Sequence, residues 1–288
     1  MLLALSRGRD RVDILEKALE KSVQKKNSKV KEPKAQDSSQ LNIENIQQTV
    51  NLDWHQLAAD GYLSLEQVRS ALIEEYRMIK RPLITNAFGK RAKGINRANL
   101  ILVTSSIPGE GKSFSAINLA ISIANERDKN VLLIDADVAK PTLAKRLGLP
   151  DSLGLIEYLE SDDVAFTDIC FKTDLPGLQV IPAGKRHAFS TELLSSDKMA
   201  KFVDELSQRY PDRIVIFDSP PLLSATQAEV LASLVGQVIF VISAETTMQG
   251  TVQDAIKKLE SVDVVLALLN KSKHELTLDY YGYGQYGH

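Results

Sequence analysis

One glycine-rich octapeptide constrains the fold of this 288-residue chain more than any other feature. Residues 106–113 read Ser-Ile-Pro-Gly-Glu-Gly-Lys-Ser, between an apolar run and a helical pattern. The usual phosphate loop is Gly, four residues, then Gly-Lys-Ser or Gly-Lys-Thr, so only Ser106 departs from it. Such a loop needs a helix directly after it, because the free N–H groups of the helix N-terminus bind the anion. The octapeptide therefore predicts an α/β fold with a phosphate site.

The apolar pattern after Asn99 predicts the same fold. Nearly continuous apolar runs of strand length alternate with helical segments, which is typical of strands buried on both faces of a parallel sheet. Strands alternating with helices imply right-handed βαβ units. We expect a doubly wound, mainly parallel sheet of the P-loop NTPase type, with ligands at the carboxyl ends of its strands. The predicted strands are Leu100–Thr104, Val131–Ile134, Leu178–Ile181, Ile214–Phe217, Val238–Ile242 and Val264–Leu268.

Two helices are predicted ahead of the sheet. Apolar residues at helical spacing predict a short amphipathic helix over residues 11–23. A second helix is predicted over residues 64–81, with Ser64 as N-cap, Gln67 as its capping-box partner and Pro82 as its stop or kink. We expect three regions: a helical and linker region at 1–60, a nucleotide-binding domain at 61–276 and a tyrosine-rich, disordered tail at 277–288.

The loop is suited to the phosphates of ATP. Gly109 and Gly111 let the backbone fold around phosphates without side-chain clashes. Lys112 can reach the β- and γ-phosphates, and the Ser113 hydroxyl can bind magnesium. The predicted ATP-binding residues of this segment are Ser106, Pro108, Gly109, Glu110, Gly111, Lys112, Ser113 and Phe114.

Carboxylates directly follow two further strands. Asp135 and Asp137 come after Ile134, and Asp218 comes after Phe217. Buried acids are costly unless they are paired or bound to metal, so acids beside a phosphate loop favour Mg²⁺ binding and acid–base chemistry. The alternative for one member of the Asp135–Asp137 pair is a helix N-cap. Magnesium needs only one or two carboxylates besides phosphate oxygens, so no His or Cys ligand is required.

Tyrosines cluster near the end of the sequence, where four of the chain's eight lie among glycines that favour disorder. Beside an ATP site, such a segment suggests phosphoacceptors. The alternative is an aromatic tail that docks on a partner. The candidate acceptors are Tyr280, Tyr281, Tyr283 and Tyr286.

Together these motifs resemble those of the bacterial tyrosine kinases, in particular the autokinases encoded with exopolysaccharide export systems. The matching features are the loop, Asp135-Ala-Asp137 followed by Lys140-Pro141, Phe217-Asp218-Ser-Pro-Pro and the terminal tyrosines. The resemblance covers roughly residues 65–288. The sequence departs from the family after the second acid, where a basic pair is replaced by Val138-Ala139-Lys140.

The resemblance implies roles for particular residues. Lys112 would bind phosphates, and Ser113, Asp137 and Asp218 would organise Mg²⁺. Asp135 or Asp137 would polarise the incoming tyrosine hydroxyl. An Asn after a late strand recognises adenine in related nucleotide-binding proteins, and Asn270 fits that position, although an Asn in a surface turn would look the same. The implied catalytic set is Lys112, Asp135, Asp137 and Asp218.

The resemblance also implies partners. A Glu-x-x-Arg-x-x-Arg helix drives ring assembly in the family, and Glu74, Arg77 and Lys80 fit it, with Lys in the last place. A solvated helix face is the alternative. No stretch of the sequence has the length of a membrane span. We therefore expect a cytoplasmic protein held at the membrane by a separate activator of the polysaccharide chain-length type, together with a phosphatase and no nucleic-acid partner.

Two other functions fit the same fold. A switch ATPase of the partitioning or cell-division-site type would carry an extra lysine near the start of the loop, where this chain has Ile107. A non-catalytic scaffold that binds ATP to assemble export machinery is the second. Phosphate on the Tyr280–Tyr286 segment would distinguish a kinase from both.

Overall fold

A computed structural model of the chain describes residues 45–65, 70–89, 92, 94–210 and 212–272. All of them belong to one compact unit, Leu41–His288. The predicted helix over residues 11–23 and the four candidate acceptor tyrosines lie outside the described residues.

The centre of this unit is an eight-stranded sheet with the order β1-β4-β5-β3-β6-β2-β7-β8. All neighbouring strands are parallel except β4 and β5. The strands are β1 (Thr49–Val50), β2 (Leu100–Ser105), β3 (Asn130–Asp135), β4 (Phe171–Thr173), β5 (Leu178–Ile181), β6 (Arg213–Asp218), β7 (Gln237–Ser243) and β8 (Val264–Asn270). Each of the six predicted apolar runs is a strand, so the predicted doubly wound, mainly parallel fold is confirmed.

Helices cover both faces of the sheet. Alternate residues of a strand point to opposite faces, so Leu100 and Leu102 enter one apolar cluster while Ile101 and Val103 enter the other. The helices are α1 (Trp54–Ala59), α2 (Ala71–Phe88), α3 (Lys112–Ala124), α4 (Leu143–Leu147), α5 (Leu155–Glu160), α6 (Phe166–Ile169), α7 (Ser190–Leu194), α8 (Asp197–Arg209), α9 (Thr226–Ser233) and α10 (Gln249–Lys257). No helix among the described residues is long and apolar enough to cross a membrane.

Residues 45–60 contribute to this unit, although the sequence analysis assigned them to a separate N-terminal region. β1 pairs with β4, and Leu57 of α1 is buried in one of the two apolar clusters. Asp174 fixes the connection, because its carboxylate accepts hydrogen bonds from Leu52 N at 3.0 Å and Trp54 Nε1 at 2.7 Å. β1 and β4 have two and three residues, too few to show the alternation by which a strand is recognised.

Helix α2 begins and ends later than the sequence indicated. Its N-cap is Ser70, whose hydroxyl accepts a hydrogen bond from Ile73 N at 3.3 Å, whereas the predicted N-cap Ser64 is buried upstream of the helix. Pro82 lies inside the helix and does not stop it. Leu83, the next residue, is completely buried, so packing of this face supports the helix through the interruption.

Lys80 of α2, expected at a contact between subunits, is used inside its own subunit. Its side chain is buried, and its ammonium donates to the Ser122 carbonyl at 2.6 Å and pairs with Glu126 at 2.7 Å. These partners lie at the C-terminal end of α3, where a cation interacts favourably with the helix dipole. By contrast, Glu74 and Arg77 form an ion pair on the exposed face of α2. Of the three residues that the resemblance linked to assembly, Glu74 and Arg77 are exposed and Lys80 is buried.

We expect a Lys80→Met variant to lose about 1–3 kcal/mol of unfolding free energy, because the Ser122 carbonyl loses its charged donor. Urea denaturation measures the change. Arg77→Met is the matched control on the same helix, and it should change stability by less than about 1 kcal/mol, as exposed ion pairs do. Equal losses in the two variants would contradict an internal role for Lys80.

Candidate nucleotide-binding site

The phosphate loop connects β2 to α3 and opens into a cavity of about 720 Å³ at the carboxyl edge of the sheet. This volume lies within the range of small-molecule sites, about 300–1,000 Å³. The lining residues come from the loop and from the segments that follow β3, β6 and β8, as expected for a doubly wound sheet. Of the predicted site residues, those lining it are Pro108, Gly109, Gly111, Lys112, Ser113, Phe114, Asp137 and Asn270.

Gly111 is required by both backbone conformation and space. Its φ of 101° lies in the left-handed region, where side chains other than that of glycine are strained. A Cβ at this position would lie 2.0 Å from Nδ2 of Asn270. The same Nδ2 donates to the carbonyl of Glu110 at 2.9 Å. Asn270 therefore holds the loop at its turn into α3 and also lines the cavity, while a contact with adenine remains a prediction.

Glu110 faces away from the cavity, although the sequence grouped it with the ATP-binding residues. Its carboxylate is buried and accepts hydrogen bonds from Ile107 N at 2.7 Å, Ser243 N at 3.3 Å and Thr247 Oγ1 at 2.5 Å. Three donors on two segments hold both oxygens in place. Glu110 thus fixes the shape of the loop and anchors it to the end of β7.

Lys112 and Asp137 form an ion pair inside the cavity. The Lys112 ammonium lies 2.7 Å from Oδ2 of Asp137, and the two side chains are 14% and 5% exposed. Oδ1 of Asp137 accepts from the backbone N–H of Lys140 at 3.1 Å. Both charged groups line the space that a phosphate would enter, so an arriving phosphate competes with Asp137 for Lys112.

Asp135 has the capping role that the sequence left open as an alternative. Oδ2 accepts hydrogen bonds from Thr142 N and Leu143 N, each at 3.0 Å, and thereby caps the start of α4. Oδ1 accepts from Asp137 N at 3.2 Å. The side chain is buried, and this burial together with the charge of Asp218 raises the pKa of Asp135 to about 8. Asp135 orders the segment around Asp137 and does not line the cavity.

Asp218 is the carboxylate with unsatisfied oxygens. It lies beside Asp135 in the register of β3 and β6 and is completely buried. Neither of its oxygens has a hydrogen-bond partner of ordinary geometry among the described residues. Burial raises the pKa of Asp218 to about 6, while the charge of Lys112 and the nearby Ser113 hydroxyl act to lower it. A buried acid without a partner is costly, so this position favours a cation.

These donors fit magnesium. Ser113 lies in the first turn of α3 and lines the cavity. The oxygens of Asp218 and of the cavity-lining Asp137 are hard ligands of the kind that Mg²⁺ prefers. No cluster of three or more His, Cys, Asp or Glu side chains suited to a metal occurs in the described part of the chain. Magnesium needs no such cluster when phosphate oxygens complete its shell.

Three basic side chains of the cavity were not among the predicted site residues: Lys140, Arg146 and Lys271. Lys271 donates to the carbonyl of Gly109 at 2.7 Å, and its place next to Asn270 was the signal that could have identified it. Arg146 donates to the hydroxyl of Tyr62, 84 residues away in the chain. No local pattern links those two residues, so the sequence could not have shown this contact.

The fold, the phosphate loop and the buried carboxylate of Asp218 define a protein of the P-loop ATPase class. Consistent with this class, the AAA domain family matches residues 98–271. The tyrosine-protein kinase YwqD of Bacillus subtilis (strain 168) is 30% identical over 224 residues, covering 77% of this chain and 90% of the relative. The chain belongs to the bacterial tyrosine-protein kinase family, as its motifs indicated.

Two further comparisons agree. The putative tyrosine-protein kinase EpsB of Ralstonia nicotianae (strain ATCC BAA-1114 / GMI1000) is 33% identical over 190 residues, covering 66% of this chain. The chain spans only a quarter (25%) of that relative's length. The kinase domain of the Escherichia coli tyrosine kinase ETK superposes with a TM-score of 0.65 at 26% identity, covering 84% of this chain and 89% of that domain.

Proposed function

We propose that this protein is an ATP-dependent protein tyrosine kinase that phosphorylates tyrosines on other copies of the same chain. By this modification it regulates exopolysaccharide synthesis and export. The observation that carries the proposal is the buried Asp218 at the end of β6, next to the strand that leads into the phosphate loop, in a chain related to tyrosine-protein kinases. Its oxygens have no hydrogen-bond partner of ordinary geometry among the described residues. The acceptors are the four tyrosines at positions 280, 281, 283 and 286, carried on neighbouring copies of the chain.

ATP would lie along the cavity with its phosphates at the start of α3. The backbone N–H groups of the loop and the helix dipole bind the phosphates, and Lys112 moves from Asp137 to the β- and γ-phosphates. Asn270 is the candidate for contact with the base, and Phe114 lines the cavity beside Ser113. Ser113, Asp137 and Asp218 would hold Mg²⁺, which when bound neutralises charge on the phosphate oxygens.

The chemistry is an in-line phosphoryl transfer. The tyrosine oxygen forms a bond to the γ-phosphorus while the bond from that phosphorus to the β–γ bridging oxygen breaks, and ADP leaves with the electron pair. The phenol proton passes to a carboxylate. Asp137 suits this role because it lines the cavity, whereas Asp135 is engaged by three backbone N–H groups. Lys112 stabilises the charge that develops on the phosphate.

Regulation is proposed through three partners. Self-assembly into a ring would use the exposed Glu74–Arg77 pair of α2. A separate membrane protein of the polysaccharide chain-length type would activate the kinase and hold it at the inner membrane, and a phosphatase would reverse the modification. No feature of the described residues calls for a nucleic acid.

Intact-mass measurement after incubation with ATP and Mg²⁺ tests the proposal. We expect up to four added phosphates, all on the terminal peptide, and none in a variant with Phe at positions 280, 281, 283 and 286. ATP hydrolysis without added mass would contradict the proposal and favour a switch ATPase. ATP that is bound but left intact would favour a scaffold.

A further inference from the structure

Arg146 is a cavity-lining cation that forms no ion pair with an acid in the described part of the chain. Its hydrogen bond among the described residues goes to the hydroxyl of Tyr62, which is neutral. In contrast, the charge of Lys112 is paired with Asp137 at 2.7 Å. Arg146 thus adds a full positive charge to a space that the proposed function fills with a polyanion.

Arg146 lines the same cavity as Lys112 and Ser113 of the phosphate loop. Its helix, α4, is tied to the end of β3 because Asp135 caps the first turn. β2 and β3 both pair with β6 in parallel, so the start of α4 lies at the same edge of the sheet as the phosphate loop that follows β2.

Tyr62 positions the Arg146 guanidinium and is itself packed against α3. The ring is buried and packs on Phe114, the residue after Ser113, with centroids 5.0 Å apart. The next backbone N–H, of Leu63, donates to Oδ1 of Asn118 in α3 at 2.7 Å. Burial raises the pKa of the Tyr62 phenol, so its hydroxyl stays protonated and neutral beside Arg146. A positioned Arg fork loses little entropy when it binds a phosphate.

We propose that Arg146 is a second phosphate-binding residue that contacts the terminal phosphate of a nucleoside triphosphate, and that Tyr62 is its positioning residue. Arg pairs with phosphate through two parallel N–H donors, and one bond to Tyr62 leaves such a pair of donors available. The inference rests on the proposed function only for the identity of the ligand.

Calorimetric titration with ADP and with a non-hydrolysable ATP analogue, both with Mg²⁺, tests the inference. Arg146→Ala should weaken binding of the analogue by about tenfold or more, because a charged hydrogen bond is lost, and ADP binding by less than about threefold. Arg146→Lys should restore part of the difference. Tyr62→Phe, which removes only the hydroxyl, should give an intermediate loss. Lys145→Ala, an exposed neighbour outside the cavity, is the matched control and should bind like the wild type.

The affinity ratio of analogue to ADP is the decisive quantity. An unchanged ratio in Arg146→Ala, or no binding of the analogue by the wild type, would overturn the inference. A purely structural role would lower the melting temperature without nucleotide and leave the ratio unchanged. If the ratio falls as expected but no tyrosine gains phosphate, the phosphate-binding role stands and the proposed kinase function fails.

Discussion

A Lys112→Met variant is expected to lose tyrosine phosphorylation by about 10²–10³-fold or more while remaining folded. Methionine keeps much of the length of lysine but cannot stabilise charge on the transferred phosphate. Folding should tolerate the change, because Asp137 keeps its hydrogen bond from Lys140 N and borders an open cavity that water can enter. Intact mass after incubation with ATP and Mg²⁺ measures the loss, and Lys145→Met is a control lysine outside the cavity.

The same variant tests transfer between subunits. Lys112→Met is mixed with an active subunit that has Phe at positions 280, 281, 283 and 286, so that only the inactive subunit can accept phosphate. Phosphate on the Lys112→Met subunit is expected. Its absence would exclude transfer between subunits, and self-phosphorylation of Lys112→Met alone would contradict the role of the lysine.

An Asp218→Asn variant is expected to lose activity and yet to be more stable than the wild type at pH 8 without Mg²⁺. The pKa of Asp218 rises from 3.8 in the unfolded chain to about 6 in the fold. The contribution of the Asp218 carboxyl to the unfolding free energy of the wild type is therefore fully present below about pH 4 and is lost as the pH rises through 6. The variant has no carboxylate charge to bury. Its unfolding free energy at pH 8 should therefore exceed that of the wild type by on the order of 1–3 kcal/mol.

Urea unfolding at pH 5 and pH 8 measures this advantage. The gap in unfolding free energy between Asp218→Asn and wild type should widen from pH 5 to pH 8. Asp151→Asn replaces an exposed acid and should show no such widening. Added Mg²⁺ with ADP should narrow the gap, because a bound cation stabilises only the wild-type carboxylate. A gap of equal size at both pH values would show that Asp218 is not buried as a costly acid.

Much of the scaffold could be predicted because its signals are local. β2, β3 and β6 are continuous apolar runs, and the residues after them fall at one edge once the strands are parallel. Other features depend on tertiary contacts. Ser64 and Ser70 are equally good caps by residue type, so the sequence does not distinguish the two starts of α2.

Side-chain direction was the least predictable property of the site. Glu110 and Lys80 have residue types suited to ligand binding and assembly, yet both are buried against distant backbone groups. Asp135 and Asp137 are two residues apart, but hydrogen bonds from α4 turn only the first away from the cavity. Tyr62 and Arg146 meet across the fold. Such choices depend on neighbours that no motif of the sequence specifies.

The anchoring of β8 to the phosphate loop has a consequence for the competition among acceptors. Asn270 and Lys271 fasten the chain at Glu110 and Gly109, and Tyr280 follows nine residues later. Nine residues span at most about 30 Å, so Tyr280 stays within about that distance of Lys271. A short tether gives an effective concentration of order millimolar. A tyrosine of a neighbouring copy is phosphorylated only where assembly gives it a higher effective concentration at the site, or where geometry keeps the subunit's own tail out of the site. Assembly therefore selects whose tyrosine is modified.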